Sequence, residues 1–263
     1  MFVNIRGAKI FLKDHGTGPP TLFLHGNPDT ADIWDSVTAR LHQHYRCIVP
    51  DLPGFGRSRT PQEFDCSFGD LGKFVDELLE SMNITQPINL VAHDFGGAFA
   101  MVWAAQHPEK VRRIVVMNTP CFVSDFRWHF WGRIWRIPIV GELSMIMNNW
   151  PLFYWSVRRG SRNLTKDHIR STYSRITSEM KRMVLRLYRA ANPESFRDWE
   201  PRMLQVTAHA PTLVLWGEDR YIPSWVAHRF VATEVKYFEN CGHWVPAEAP
   251  NEVAAELLRF FIL

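Results

Sequence analysis

Short apolar runs alternate with longer amphipathic stretches along most of the chain. Thr21–Leu24 (TLFL), Cys47–Val49, Ile88–Ala92 (INLVA), Ile114–Met117 (IVVM), Thr212–Leu215 (TLVL) and Val235–Phe238 are the runs, most of them rich in Val, Ile and Leu. Between them the spacing predicts helices over Ala31–His42, Phe68–Met82, Gly96–Gln106, Ser224–Val231 and Asn251–Phe260. Continuous apolar runs separated by helices indicate strands buried on both faces, hence a mostly parallel sheet covered on each side. Phe2–Ile5 and Lys9–Lys13 read as an antiparallel start to that sheet. The rhythm breaks between about Cys121 and Thr207, where Trp-rich and Arg-rich helical stretches carry breaks at Pro138, Pro151, Pro193 and Pro201 and no good strand appears. The expected organisation is an α/β core of residues 1–120 and 208–263, with residues 121–207 as an all-helical cap. Such an insert belongs over the carboxyl ends of the strands, where open α/β sheets keep their sites.

Composition changes this picture little. The 263 residues are 46% hydrophobic, enough for one domain with a full core. The net charge is +3, but residues 121–205 hold fifteen Lys/Arg against seven Asp/Glu, which is +8 and leaves about −5 for the rest. A basic insert fits acidic substrates or a membrane surface; the plainer reading is helices with solvated arginine faces. Cys47, Cys66, Cys121 and Cys241 show no metal-type pairing and read as reduced thiols. No apolar run approaches membrane-spanning length. The expectation is a soluble, cytoplasmic protein with no nucleic-acid partner, no stable membrane insertion and no cofactor. The oligomeric state stays open.

The chemistry concentrates at strand ends. Val91–Gly97 (VAHDFGG) reads as a strand, a tight turn and the start of a helix, with Asp94 where hydrolases of the G-x-S-x-G type place serine. The Phe95 amide, at the helix N-terminus, faces any oxyanion formed there. An aspartate at that place is also an ordinary N-cap. His25-Gly26-Asn27-Pro28 (HGNP) follows the strand TLFL, where the Asn27 amide supplies a second donor; it is otherwise a plain turn. Asp219 and His243 follow two later strands, and a histidine oriented by an aspartate is a general base for water. The order nucleophile, acid, histidine (Asp94, Asp219, His243) matches one hydrolase fold.

These stretches resemble α/β-hydrolase-fold enzymes of the epoxide hydrolase and haloalkane dehalogenase group. The likeness rests on HGNP (25–28), DLPGFGRS (51–58), AHDFGG (92–97), WGEDRYIP (216–223) and CGHWVPAEAP (241–250). It implies a mostly parallel eight-stranded sheet with a helical cap. The family often has one more residue between Gly217 and the acid, but the spacing from Asp219 to Pro223 looks normal, which favours Asp219 over Glu218.

A carboxylate is ionised at neutral pH and can displace a leaving group at sp³ carbon, giving an ester that water then cleaves. An epoxide leaving group needs an acid. In epoxide hydrolases two cap tyrosines supply it, and Tyr188 in YRA resembles the second. Counting back from Pro138 puts Trp131 at the first, where tyrosine or histidine is expected, with Tyr154 as a substitute. His93 is a further candidate for the pocket. A halide leaving group needs donors: Asn27 and a cap tryptophan fit, but Phe95 replaces the tryptophan that dehalogenases usually carry after the nucleophile, and Phe95 and Ala98 supply none of the arginines of fluoroacetate dehalogenases. The aromatic cap points to an apolar or aryl substrate, although those rings also fit plain packing. The expected reading is hydrolysis of an apolar or aryl epoxide by water. Haloalkane dehalogenation is the alternative, and a small-molecule binder that keeps the fold is the third.

Overall fold

A computed structural model of the chain describes residues 1–120 and 126–262, with the backbone alone for 193–196. In chain order the elements begin β1 (Phe2–Ile5), β2 (Ala8–His15), β3 (Pro20–Leu24), α1 (Asp35–Leu41), β4 (Arg46–Pro50), α2 (Phe68–Ser81), β5 (Ile88–His93), α3 (Gly96–Gln106) and β6 (Val111–Met117). Six helices follow: α4 (Phe130–Arg136), α5 (Val140–Met147), α6 (Trp150–Gly160), α7 (Lys166–Ser174), α8 (Ser178–Ala190) and α9 (Pro193–His209). The chain then returns through β7 (Thr212–Gly217), β8 (Glu234–Phe238), α10 (Val245–Glu248) and α11 (Pro250–Ile262).

The eight strands form one sheet in the order β1-β2-β4-β3-β5-β6-β7-β8. β2 runs antiparallel to both neighbours, and the pairs from β4–β3 to β7–β8 are parallel. β3, β5 and β7 are buried along their whole length, because alternate side chains feed two separate cores. Leu22, Leu24, Leu90, Ala92, Ile114 and Val116 pack with α2 and α3 on one face. Phe23, Val91, Val115, Met117, Leu213 and Leu215 pack with α1 and α11 on the other. In α3 every residue from Gly96 to Ala104 is buried, since α2, α9 and the sheet surround it. The fold class is therefore the one the apolar rhythm and the resemblance implied.

Three details differ from the sequence reading. Ala31–His42 divides into a 3₁₀ turn (Ala31–Trp34) and α1, and Ser224–Arg229 is also 3₁₀. Pro201 lies inside α9 rather than ending a helix. Proline there removes one backbone hydrogen bond, but Met203 and Val206 bury their side chains and α9 packs along α3, which outweighs the loss. Cys121 lies outside the described residues; Cys47, Cys66 and Cys241 are buried free thiols. Among the described residues no helix is long and apolar enough to cross a membrane.

Candidate active site

Asp94 sits between β5 and α3 with φ +49°, a left-handed conformation that costs a residue with a Cβ about 1 kcal/mol or more. The surroundings hold it there. Its N–H donates to Met117 O (3.2 Å), and its carbonyl accepts from Gly97 N (2.9 Å) and Thr119 Oγ1 (2.5 Å). A Cβ on Gly96 would lie 2.3 Å from Leu24 O, so only glycine lets α3 start against β3. A Cβ on Gly26 would lie 2.2 Å from the Cβ of Asp94, so the HGNP loop reaches the carboxylate only as glycine. His25 pins that loop from behind: one ring nitrogen bonds Gly26 O (2.9 Å) and the other accepts from Leu52 N (2.9 Å).

Two amides meet at the carboxylate. Asn27 N donates to Asp94 Oδ1 at 2.7 Å, and the Phe95 amide also favours the ionised carboxylate. His243 Nε2 lies 3.6 Å from Oδ2, on the other side. Burial pushes the Asp94 carboxyl above its ordinary value, while His243 and the two amides oppose the rise. The Phe95 side chain stacks on Trp128 (5.9 Å between centroids) and offers no donor.

Asp219 follows β7, and its side chain is buried. His243 Nδ1 meets its Oδ2 at 2.6 Å, Asn118 Nδ2 donates to the same oxygen at 2.9 Å, and Tyr221 N donates to Oδ1 at 2.6 Å. Burial alone would raise this carboxyl, but His243 and these hydrogen bonds hold it below the usual range. Glu218 instead faces Arg162 at the surface. Burial lowers His243, yet Asp219, Asp94 and the buried Asp29 together push it up to about 9. Asp29 is itself pushed up to about 7 by burial and accepts from Trp244 Nε1 at 3.0 Å. The base is mounted on the cap as well as the core: His243 N donates to Gly160 O at the end of α6 (2.8 Å), and Tyr221 Oη donates to Ser156 O (2.8 Å).

A cavity opens over Asp94 and His243, walled by α4, α5, α6 and α8. Tyr188 of α8 is buried at its floor, ring against Phe95 (4.9 Å) and Trp128 (4.8 Å). Its hydroxyl lies 3.1 Å from His129 Nε2, and burial pushes its pKa well above the ordinary value. His129 caps α4, where Nδ1 accepts from Gly132 N (3.2 Å). A neutral imidazole that accepts at Nδ1 carries its proton on Nε2, so His129 donates to Tyr188 Oη. Burial and the charge of His243 push His129 down to about 4, which keeps it neutral.

Of the residues singled out in the sequence, Asp94, Asp219, His243, Tyr188, Asn27 and Phe95 come together. Trp131 lines the cavity and stacks on Trp135 (6.4 Å), but the group that meets Tyr188 is His129, two residues earlier. Tyr154 packs on Trp150 (5.4 Å) and is not among the lining residues. His93 lies beneath the cavity: its Nε2 donates to His243 O (2.9 Å), and burial pushes it down to about 3, so it supports the base loop as a neutral ring. Asn118, Asp29 and His129 were not found from the sequence. His129 did carry one local signal, a side chain able to cap the helix that follows it.

The alpha/beta hydrolase fold family matches residues 19–140. The cis-3-alkyl-4-alkyloxetan-2-one decarboxylase of Shewanella oneidensis is 26% identical over 297 residues, covering 98% of this chain and 87% of that protein. Haloalkane dehalogenase 2 of Mycobacterium tuberculosis is 26% identical over 286 residues (99% and 93%), and epoxide hydrolase 3 of Mus musculus 26% over 265 (91% and 69%). Among solved structures, Cfl2 from Burkholderia cenocepacia superposes with a TM-score of 0.83 at 23% identity, over 99% of this chain and 94% of that one. At that identity the superposition speaks for the fold alone.

Proposed function

The chain belongs to the α/β-hydrolase superfamily, in its epoxide hydrolase and haloalkane dehalogenase group, and from that premise we propose that it opens an epoxide to a vicinal diol through an ester on Asp94. Asp94 Oδ2 attacks a ring carbon, the ring C–O bond breaks, and the oxygen takes the Tyr188 proton. Oδ1, held by Asn27 N, remains the ester carbonyl. Esterification removes one of the negative charges that raise His243, so its pKa falls and Nε2 can accept a proton from water. Hydroxide adds to the Asp94 carbonyl carbon, the Asn27 and Phe95 amides hold the oxyanion, and its collapse expels the diol oxygen, which takes the proton from His243 Nε2 while the remaining water proton on the Asp94 carboxyl passes to the Tyr188 phenolate.

The observation that carries this reading is the hydroxyl of Tyr188. A phenol has two acceptor positions and one proton. His129 Nε2–H occupies one acceptor position, which leaves the proton for a group in the cavity above Asp94. Halide displacement needs no acid. It would draw on the Asn27 amide and on Trp131, both of which line the cavity.

The test is mass spectrometry of His243→Gln after exposure to styrene oxide, a bromoalkane and a cis-3,4-dialkyloxetan-2-one. The expected result is an adduct on Asp94 with the full mass of the epoxide. An alkyl-only adduct from the bromoalkane, with none from the epoxide, would replace this reading by dehalogenation. An oxetanone adduct alone, with carbon dioxide released by the native chain, would move the activity to that ring.

A further inference from the structure

The cavity is apolar except at two places: the triad end and a small cluster on the opposite wall. There Lys181 of α8, Ser144 of α5 and Asn148 just beyond α5 face the same space. Lys181 is half-buried, and its ammonium spends one hydrogen on Met145 O at 2.7 Å. No carboxylate pairs with it among the described residues; the acid of α5, Glu142, is held by Arg189. Ser144 donates its hydroxyl to Gly141 O (2.7 Å), whereas the Asn148 amide has no partner among the described residues. A cation removed from bulk water is normally paired or satisfied by hydrogen bonds. Lys181 and Asn148 both line the cavity, and two ammonium hydrogens of Lys181 together with the N–H donors of the Asn148 amide have no partner among the described residues.

Their distance from the reacting atoms follows from the helix. Lys181 and Tyr188 are seven residues apart on α8 and share its cavity face, with Val184 between them. At 1.5 Å per residue that separation is about 10 Å along the axis. An extended chain advances about 1.2 Å per bond, so roughly eight bonds span it.

We propose that Lys181 and Asn148 form an anion subsite, which selects substrates carrying a carboxylate roughly eight bonds from the reacting ring. The class is an ω-epoxy carboxylic acid with an apolar spacer, lying along α8 with its ring under Tyr188 and its carboxylate on Lys181. The identification of the ring as an epoxide rests on the function proposed above; the subsite itself does not.

The experiment therefore has two arms. In the first, kcat/KM is measured for the terminal epoxide of a ten-carbon acid and for its methyl ester, in the native chain, Lys181→Met and Lys181→Arg. The acid-to-ester ratio should be about tenfold in the native chain, the worth of one hydrogen bond to a charged group. It should fall to about one in Lys181→Met and return in Lys181→Arg, mainly through KM. In the second arm, decanoate and decanol are titrated by quenching of cap tryptophan fluorescence, which needs no turnover. Native preference for decanoate, lost in Lys181→Met and kept in Lys181→Arg, supports the subsite even if no epoxide is hydrolysed, and only the function above then falls. Equal affinity for decanoate and decanol, or a preference that survives Lys181→Met, overturns the subsite.

Discussion

Tyr188→Phe removes a single oxygen from a packed site. The ring keeps its contacts with Phe95, Trp128 and Trp135, so no cavity larger than one atom forms. One donor loses its acceptor: His129 Nε2–H. A net hydrogen bond contributes about 1 kcal/mol, so stability should fall by about that much, less if the donor turns toward the cavity. The effect on chemistry should be larger. A general acid contributes about 10²–10⁴ in rate, which is about 3–5 kcal/mol of barrier. Single-turnover ester formation from styrene oxide, followed in a His243→Gln background, should slow by at least about a hundredfold. Ester formation from a bromoalkane, where the leaving group needs no proton, should change by only a few-fold. Equal slowing with both substrates would mean that Tyr188 acts by shaping the pocket, and an unchanged rate with the epoxide would remove it from the mechanism.

Two further outcomes follow from the geometry. Gly26→Ala places a methyl 2.2 Å from the Cβ of Asp94 and 2.4 Å from its Oδ1; the displaced nucleophile should lose about a hundredfold in kcat/KM, and native-like activity would show that the loop yields without moving the carboxylate. His243 is pushed up to about 9 in the folded chain from an ordinary 6.5, so it stabilises the fold fully below pH 6.5 and loses that contribution as pH rises to about 9; melting temperature should decline across that window, and Asp219→Asn, which removes the main charge that raises it, should flatten the decline.

The sheet and the nucleophile turn were legible because their signals are local. Val91–Gly97 contains the strand, the acid and the glycines that let the helix start, and the apolar runs of β3, β5 and β7 announce burial on both faces by themselves. Asp219 and His243 stand at strand ends, so finding the strands placed them. His129, Asn118 and Asp29 owe their importance to partners far along the chain: His129 to Tyr188, Asn118 to Asp219, Asp29 to Trp244. No window of sequence contains such a pair. The cap was harder than the core for the same reason. Its short helices break and restart around Pro138 and Pro151, so counting along the chain does not say which side of α4 meets α8: Trp131 lines the cavity, and His129 meets Tyr188.

The hydrogen bond from His243 N to Gly160 O divides the cap into two parts with different freedoms. The end of α6 is a bearing for the water-activating ring: Gly160 holds its backbone and Ser156 holds the Tyr221 beside it. Lifting α6 to admit a substrate would unseat the histidine from Asp219. The side-chain hydrogen bonds and ion pairs that tie α5 to other elements run to α8, so α5 can yield without disturbing the triad, whereas α4 is held to Tyr188 through His129 and Arg136. Traffic and turnover are thus separable in this molecule. Substitutions on the outer turns of α5 should retune which molecules enter and how fast, while the α6–His243 seam sets how fast the ester is cleared.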